Sequence, residues 1–118
     1  MANPFVHLEL NTPDLAKAKE FYGALFGWKF EDMQMGAPAG IYSTFKPDTG
    51  PGGGMVSTPG GNHGWLSYVG VDDINASTEK ARSLGATIQM GQVEIPNIGW
   101  MTIMADPTGC TIAMFQPK

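Results

Sequence analysis

Two side chains able to exchange a proton lie near the start of the chain, where the run PFVHLEL contains His7 and Glu9. Residues two apart on a strand point to the same side, with α-carbons about 7 Å apart. An imidazole and a carboxylate so placed could share a proton or flank a bound molecule. A plainer interpretation is a pocket histidine that only hydrogen-bonds to a neighbour. The residue types leave both interpretations open.

Few other residues offer reactive groups. His63 lies in the flexible segment TPGGNHG, where we expect a solvent-exposed imidazole. A metal site improvised from His7, Glu9 and His63 has no spacing that supports it. The single cysteine, Cys110, is in phase with Ile112 on a predicted strand, so we expect it to pack inertly and not to act as a nucleophile.

The first strand and helix must position the His7 and Glu9 pair. Alternation from Phe5 to Leu10 predicts a strand whose apolar face lies opposite the pair. The period then becomes helical: Thr12 can accept a bond from an early amide, and Pro13 suits the first helical position. Asp14 complements the helix dipole and Gly27 ends the helix. The core-facing stripe is expected to be Leu15, Ala18, Tyr22 and Leu25.

The remaining chain predicts seven more strands and one more helix. Strands are expected at 28–31, 41–45, 52–57, 65–71, 87–90, 99–104 and 110–115, with the first after a helix ending at Gly27. The second helix should be capped by Asp72 or Asp73 and end at Gly85. We expect a turn at 33–40, and the segment QVEIPNIG at 92–99 could form a rim loop with Glu94 as its charge. The chain therefore predicts alternating strand, helix and three strands, twice.

The two halves of the chain match each other in order. An offset of 59 residues separates Asp14 from Asp73 and Thr49 from Thr108. Ordered matches at the helix starts and at the final turns indicate a duplicated βαβββ unit. We predict one domain, 1–118, with a first module at 4–57, a linker at 58–64 and a second module at 65–116.

Charge and composition exclude several classes of partner. The net charge of −4, with seven Lys and Arg, argues against nucleic acid or an anionic membrane surface and accommodates a neutral or cationic small ligand. No apolar run approaches the length of a bilayer span, and the start lacks the features of a signal peptide. One cysteine fits a reducing compartment, so we expect a cytoplasmic protein.

Four stretches together resemble the vicinal oxygen chelate superfamily, which comprises glyoxalases, bleomycin-resistance proteins and extradiol dioxygenases. They are VHLEL, PDLAKAKEFYGALFGW, VDDI and DPTGCTIAMFQP, and the resemblance covers essentially the whole chain. It implies an α+β fold in which two βαβββ modules form a curved mixed sheet. That sheet makes a cup with helices on its convex side and the ligand in its concavity. It also implies a homodimer, and it points His7 and Glu9 into the cup.

The resemblance also locates the residues that hold a divalent metal in related proteins. By position these are His7, Gly54, Leu66 and Ala113. Three of the four offer no side-chain lone pair to a cation, and a lone imidazole holds a metal poorly. We therefore expect no metal and no other cofactor, and an enzyme of this kind would depend on side chains alone.

Aromatic and methionine side chains suggest the walls of a ligand pocket. With His7 and Glu9, the predicted ligand-binding residues are Tyr42, Met55, Trp65, Tyr68, Trp100 and Phe115. Such walls suit a flat or amphipathic organic ligand, although many of these residues are needed for ordinary packing. The face of the third and seventh strands that looks inward cannot be read, because both runs are mixed.

Three functions are consistent with these features. The first is a metal-free protein that binds a small organic molecule, similar to the bleomycin-resistance branch. The second is a divergent glyoxalase-like lyase or isomerase in which His7 and Glu9 act as catalytic acid and base. The third is an accessory domain whose cup is vestigial. Ligand identity does not follow from fold resemblance.

Overall fold

The computed structural model describes residues 2–36, 40–58 and 63–118, in which the chain forms eight strands and two helices in the order βαβββ, βαβββ. The elements are β1 (Phe5–Thr12), α1 (Leu15–Phe26), β2 (Glu31–Gln34), β3 (Ile41–Phe45), β4 (Gly52–Ser57), β5 (Gly64–Gly70), α2 (Ile74–Ser83), β6 (Thr87–Ile95), β7 (Gly99–Ala105) and β8 (Thr111–Pro117). The predicted α+β class and the duplication of the βαβββ unit are confirmed.

Two compact units divide the chain, an N-terminal unit of residues 7–66 and a C-terminal unit of residues 1–6 and 67–118. In the N-terminal unit the strand order is β2-β3-β4-β1, with β1 parallel to β4 and the other pairs antiparallel. In the C-terminal unit the order is β6-β7-β8-β5, with β5 parallel to β8. The two units therefore share one topology.

Corresponding aspartates begin the two helices. The carboxylate of Asp14 accepts a hydrogen bond from the amide of Lys17, and that of Asp73 accepts one from the amide of Ala76, each at 3.0 Å. Each satisfies an amide that has no partner within the helix. The expectation that Thr12 caps α1 was wrong, because its hydroxyl accepts instead from the amide of Asp14, before the helix begins.

Each unit has a core between its helix and one face of its strands. In the N-terminal unit, Leu10, Phe45 and Met55 are buried, and α1 covers them with Leu15, Ala18 and Tyr22. In the C-terminal unit the buried residues are Val71, Ile74 and Met114, with Ala81, Trp100 and Met104 packed against them. Burial of these apolar faces fixes which side of each strand looks away from the helix.

Several predicted boundaries differ from the structure. The second strand runs from 31 to 34, not from 28 to 31, because Trp28 and Phe30 pack against the core below α1 before the strand begins. β6 continues to Ile95 through irregular pairing with β7, so the expected rim loop is mostly strand. Its Glu94 forms an ion pair with Lys118. Residues 37–39 of the expected turn and 59–62 of the expected linker lie outside the described residues.

Two side chains expected to pack inward are exposed. Leu25 is 57% exposed, because it lies on the side of α1 that carries Lys17, Glu20 and Phe21. Cys110 is exposed just before β8 begins, where its amide donates to the carboxylate of Asp106 in the turn. No helix within the described ranges is long and apolar enough to cross a membrane.

Candidate functional site

The candidate site lies on the face of the N-terminal unit that looks away from α1. Leu10 on β1 is part of the core below the helix, and Leu8 lines a recess with Tyr22 of α1. Because alternate residues of a strand point to opposite faces, His7 and Glu9 lie on the other side. Both are half-buried.

Tyr42 on β3 joins this pair. Its hydroxyl oxygen lies 2.7 Å from Nε2 of His7, and it donates a hydrogen bond of 3.0 Å to Oε1 of Glu9. The side-chain amide of Asn11 donates to the other carboxylate oxygen at 3.3 Å. The imidazole and phenol rings are nearly parallel, with centroids 6.3 Å apart. We call Tyr42, His7 and Glu9 the Tyr–His–Glu cluster.

The Tyr42 ring reaches the cluster by passing over Gly54. Gly54 pairs with Glu9 on β1 and with Thr44 on β3, so it lies in the middle of the sheet. A β-carbon built on Gly54 would lie 2.1 Å from Cε2 of Tyr42, well inside any allowed contact. Only glycine at position 54 leaves room for the phenol, so the two residues act as one structural unit.

Burial determines the protonation state of the imidazole in this cluster. Desolvation lowers the pKa of His7 below its ordinary value near 6.5, because the half-buried site disfavours a charged ring. At neutral pH His7 is therefore mostly neutral, with one ring nitrogen protonated and the other able to accept a proton. A neutral imidazole beside a carboxylate can bind a polar group or accept a proton from one.

The residues at the four family positions do not fit a divalent metal ion. Only His7 has a donor atom, whereas Gly54, Leu66 and Ala113 have none. The Tyr42 phenol also fills the space into which a side chain on Gly54 would extend. Within the described ranges no three His, Cys, Asp or Glu side chains form a group that could hold a metal ion. The site improvised from His7, Glu9 and His63 is therefore ruled out, and Nε2 of His63 instead lies 2.7 Å from the carbonyl oxygen of Thr58.

Two predicted ligand-binding residues of the N-terminal unit lie on its helix side. Met55 is fully buried below α1. Trp65 packs edge to face against Tyr22, with ring centroids 5.5 Å apart. Trp65 also lines an aromatic recess of about 360 Å³, whose walls are Leu8, Tyr22, Phe26, Trp28, Phe45, Pro47, Pro51 and Trp65. The structure therefore does not bring Met55 or Trp65 to the cluster.

The remaining predicted ligand-binding residues belong to the C-terminal unit. Trp100 packs in the core beside α2, and the ammonium of Lys118 lies 5.0 Å from the centre of its ring. The hydroxyl of Tyr68 donates to Sδ of Met101 at 3.7 Å, on the strand face away from α2. Phe115 lies against Gly99, where an added β-carbon would come 2.8 Å from its ring. Their roles in ligand binding stay predictions.

Three of the predicted site residues, His7, Glu9 and Tyr42, lie together in the cluster. Gly54 was expected as a metal-ligand position without a donor, and the glycines of its strand as places where another group could approach, but that group was not identified as Tyr42. Three consecutive glycines at 52–54, inside a strand, were the available signal. Glycine in a strand interior often marks the close approach of another group.

Sequence comparison places the chain among known proteins. The profile of the Glyoxalase/Bleomycin resistance protein/Dioxygenase superfamily matches residues 5–114. The protein named "Putative glyoxylase CFP32" of Mycobacterium bovis is 31% identical over 114 residues, covering 92% of this chain and 44% of that protein. The "Anthracycline biosynthesis protein DnrV" of Streptomyces peucetius is 30% identical over 128 residues, covering 92% and 45%. The chain thus spans less than half the length of these relatives.

Solved structures share the fold at low sequence identity. The hypothetical protein BH1468 from Bacillus halodurans superposes with a TM-score of 0.80 at 11% identity, covering 100% of this chain and 96% of the other. A methylmalonyl-CoA epimerase from Mycobacterium tuberculosis gives a TM-score of 0.72 at 15% identity, covering 97% and 87%. At these identities the likeness shows the fold alone.

Proposed function

Because the chain belongs to the glyoxalase/bleomycin resistance protein/dioxygenase superfamily, we propose that it binds a small, flat organic molecule without a metal ion. The binding surface is the strand face of the N-terminal unit that carries the Tyr–His–Glu cluster. The observation that carries the proposal is the Tyr42 phenol over Gly54. The phenol fills the space that a metal-ligand side chain at position 54 would take, and it presents a hydrogen-bonding group there.

The chemistry of this face suits a molecule with an aromatic body and a polar edge. The Tyr42 ring offers a flat apolar surface, and the cluster at its hydroxyl end offers polar contacts. The net charge of −4 favours a neutral or cationic ligand over an anion. One relative is named for anthracycline biosynthesis, and anthracyclines are flat polycyclic compounds. That name supports the same ligand class for this chain.

Fluorescence titration with daunorubicin, an anthracycline that carries an amine, tests the proposal directly. We expect saturable binding by the purified chain, unchanged by a chelator because no metal takes part. His7→Leu should weaken binding by about 10-fold, since a lost hydrogen bond contributes about 0.5–1.5 kcal/mol and an unpaired partner adds to the loss. Tyr22→Phe removes a hydroxyl on the opposite, helix side of the same unit and should leave the affinity unchanged.

Three outcomes would count against this function. The chain could fail to bind daunorubicin and every compound in a thermal-shift screen of flat neutral and cationic molecules, in which a bound ligand raises the melting temperature. Binding could be equal in the wild type and the His7→Leu variant. It could also be sensitive to Tyr22→Phe instead, which would move the ligand to the aromatic recess below α1.

A second candidate function is proton transfer, as in a glyoxalase-like lyase or isomerase. The specific observation is that burial keeps His7 neutral and so able to act as a base, beside the carboxylate of Glu9. One relative carries a glyoxylase name. In such a reaction His7 and Glu9 provide the acid and base: one of them removes a proton from carbon as a base and, once protonated, acts as the acid that returns it to the neighbouring carbon.

The hemithioacetal of methylglyoxal and glutathione is a suitable probe for this second function. Its isomerisation moves one proton from the carbon bearing sulfur to the adjacent carbon, and the hydroxyl proton from the oxygen on the first carbon to the oxygen on the second, and yields a 2-hydroxy thioester without any redox partner. We expect His7→Ala to abolish turnover while circular dichroism shows an intact fold. Turnover that survives this substitution would remove His7 from the chemistry.

A further inference from the structure

The protons of the Tyr–His–Glu cluster can be counted. A phenol carries one proton, and that of Tyr42 is donated to Oε1 of Glu9. The other oxygen of Glu9 accepts from the side-chain amide of Asn11. Two donated hydrogen bonds favour the ionised carboxylate, which has no proton to give back. The phenol therefore has no second proton for His7.

The hydrogen bond between Tyr42 and His7 can then be donated in only one direction. The hydroxyl oxygen of Tyr42 lies 2.7 Å from Nε2 of His7, a distance that requires a proton between the two atoms. Because the phenol proton is committed to Glu9, Nε2 must donate and the phenol oxygen must accept. A neutral imidazole protonated on Nε2 has its lone pair on Nδ1. Desolvation, which lowers the pKa of His7, keeps the ring in this neutral form.

The geometry of Gly54 makes this chain of hydrogen bonds possible. The phenol reaches both His7 and Glu9 only because its ring crosses the strand at a residue without a side chain. The parallel pairing of β1 with β4 places Gly54 beside Glu9, directly below that crossing. A larger residue at position 54 would push the phenol away from both partners.

We propose that Tyr42, admitted by Gly54, is a positioning residue that holds His7 as the Nε2-protonated tautomer, so that Nδ1 is its basic atom. The function of this arrangement rests on the proposed binding site, since it fixes which nitrogen of the imidazole is protonated when a ligand lies beside it. The Nε2 edge, directed at a phenol, is correspondingly withdrawn from metal coordination.

Nitrogen NMR of the unliganded chain tests the tautomer directly. The sequence contains two histidines, so the ring nitrogens of His7 and His63 are easily assigned in uniformly ¹⁵N-labelled protein. At about pH 8, well above the ordinary histidine pKa, long-range proton–nitrogen spectra should show a protonated Nε2 and an unprotonated Nδ1 for His7. We expect Tyr42→Phe to convert this single form into a mixture of tautomers.

A second variant distinguishes the proposed role of Tyr42 from a purely structural one. In Glu9→Leu the phenol keeps its proton and can donate it to Nε2, so His7 should switch to the form protonated on Nδ1. Gly54→Ala should act as Tyr42→Phe does, although it leaves the phenol in the chain. Tyr22→Phe, on the other face of the same unit, should leave the His7 signals unchanged.

Two results would overturn the proposal: a wild-type His7 protonated on Nδ1, or a His7 tautomer that is the same in wild type and in Tyr42→Phe. If Glu9→Leu does not fold, the comparison with Tyr42→Phe still decides. The measurement needs no ligand. Its failure is therefore distinguishable from failure of the proposed function, which would appear as absent binding with the tautomer as expected.

Discussion

The ring of Tyr42 covers Gly54 so closely that a β-carbon on the glycine would lie 2.1 Å from the tyrosine Cε2 atom. We expect Gly54→Ala to lower the free energy of unfolding by about 1–3 kcal/mol, the usual cost of forcing an extra methyl group into a packed site. Urea denaturation measures this change.

A double-mutant cycle separates the clash from the intrinsic effect of alanine in a strand. When Tyr42 is first replaced by Ala, the three ring and hydroxyl atoms nearest to the added methyl group are gone, and Gly54→Ala should become neutral or stabilising. Gly23→Ala, where an added β-carbon has only ordinary contacts at 3.5 Å, is the matched control and should not destabilise. Equal costs of Gly54→Ala in both backgrounds would show that the two residues are not coupled.

Replacing Gly54 by a residue with a metal-donor atom, and Tyr42 by a small residue, should create affinity for a divalent metal ion. In the double variant Tyr42→Ala, Gly54→Glu, a new carboxylate would stand beside Glu9, with His7 two residues away on the same strand. Imidazole and carboxylate donors suit first-row divalent ions. We expect Co²⁺ to bind stoichiometrically, with visible absorption, to the double variant and not to the wild type.

The control for this experiment keeps the shape and removes the charge. Tyr42→Ala, Gly54→Gln presents an amide in place of the carboxylate and should bind Co²⁺ much more weakly. If wild type and double variant bind Co²⁺ equally, the Tyr42 phenol is not what excludes the ion.

The lowered pKa of His7 makes stability depend on pH in a known direction. Between the folded pKa and the ordinary value near 6.5, the unfolded chain binds more protons than the folded chain. The free energy of unfolding therefore rises with pH through this window. The contribution is complete above about 6.5 and is lost as pH falls through the folded value.

Urea unfolding between about pH 5 and pH 8 measures the slope of this dependence. His7→Gln should flatten it, because glutamine does not titrate. Parallel profiles for wild type and His7→Gln would contradict the assignment of this pH dependence to His7.

Hydrogen bonds from Ser43 to Asp32 and from Thr108 to Asp106 lower the pKa values of those two carboxyl groups. Their effects on stability therefore appear only below about pH 3.8.

The sequence predicted the repeated unit well because its signals are local. An aspartate just before a helical period is a local signal, and Asp14 and Asp73 both lie at the start of a helix. The strands β3 and β4 have the predicted bounds. Predicted strand ends were wrong where tertiary contacts determine how far a strand extends. β6 looked finished at Met90, but its irregular pairing with β7 carries it to Ile95.

The site itself was only partly readable from the sequence. His7 and Glu9 follow from alternation on β1, but the strand with Tyr42 is mixed, so its inward face was undetermined. Burial of Ser43 and Phe45 settles it, since the residues that alternate with them, Tyr42 and Thr44, must face the other way. The contact between Tyr42 and Gly54 depends on the register of β3 with β4, which no local pattern specifies.

The two capping aspartates provide a last test of the repeat. Asp14→Ala and Asp73→Ala should each lower the free energy of unfolding by about 1 kcal/mol, because each leaves a first-turn amide without its acceptor. The two caps share no partner, so their effects should add in the double variant. Asparagine at either position keeps a side-chain oxygen and should restore most of the loss. If Asn were no better than Ala in urea denaturation, the carboxylates would act through charge on the helix dipole and not as hydrogen-bond acceptors.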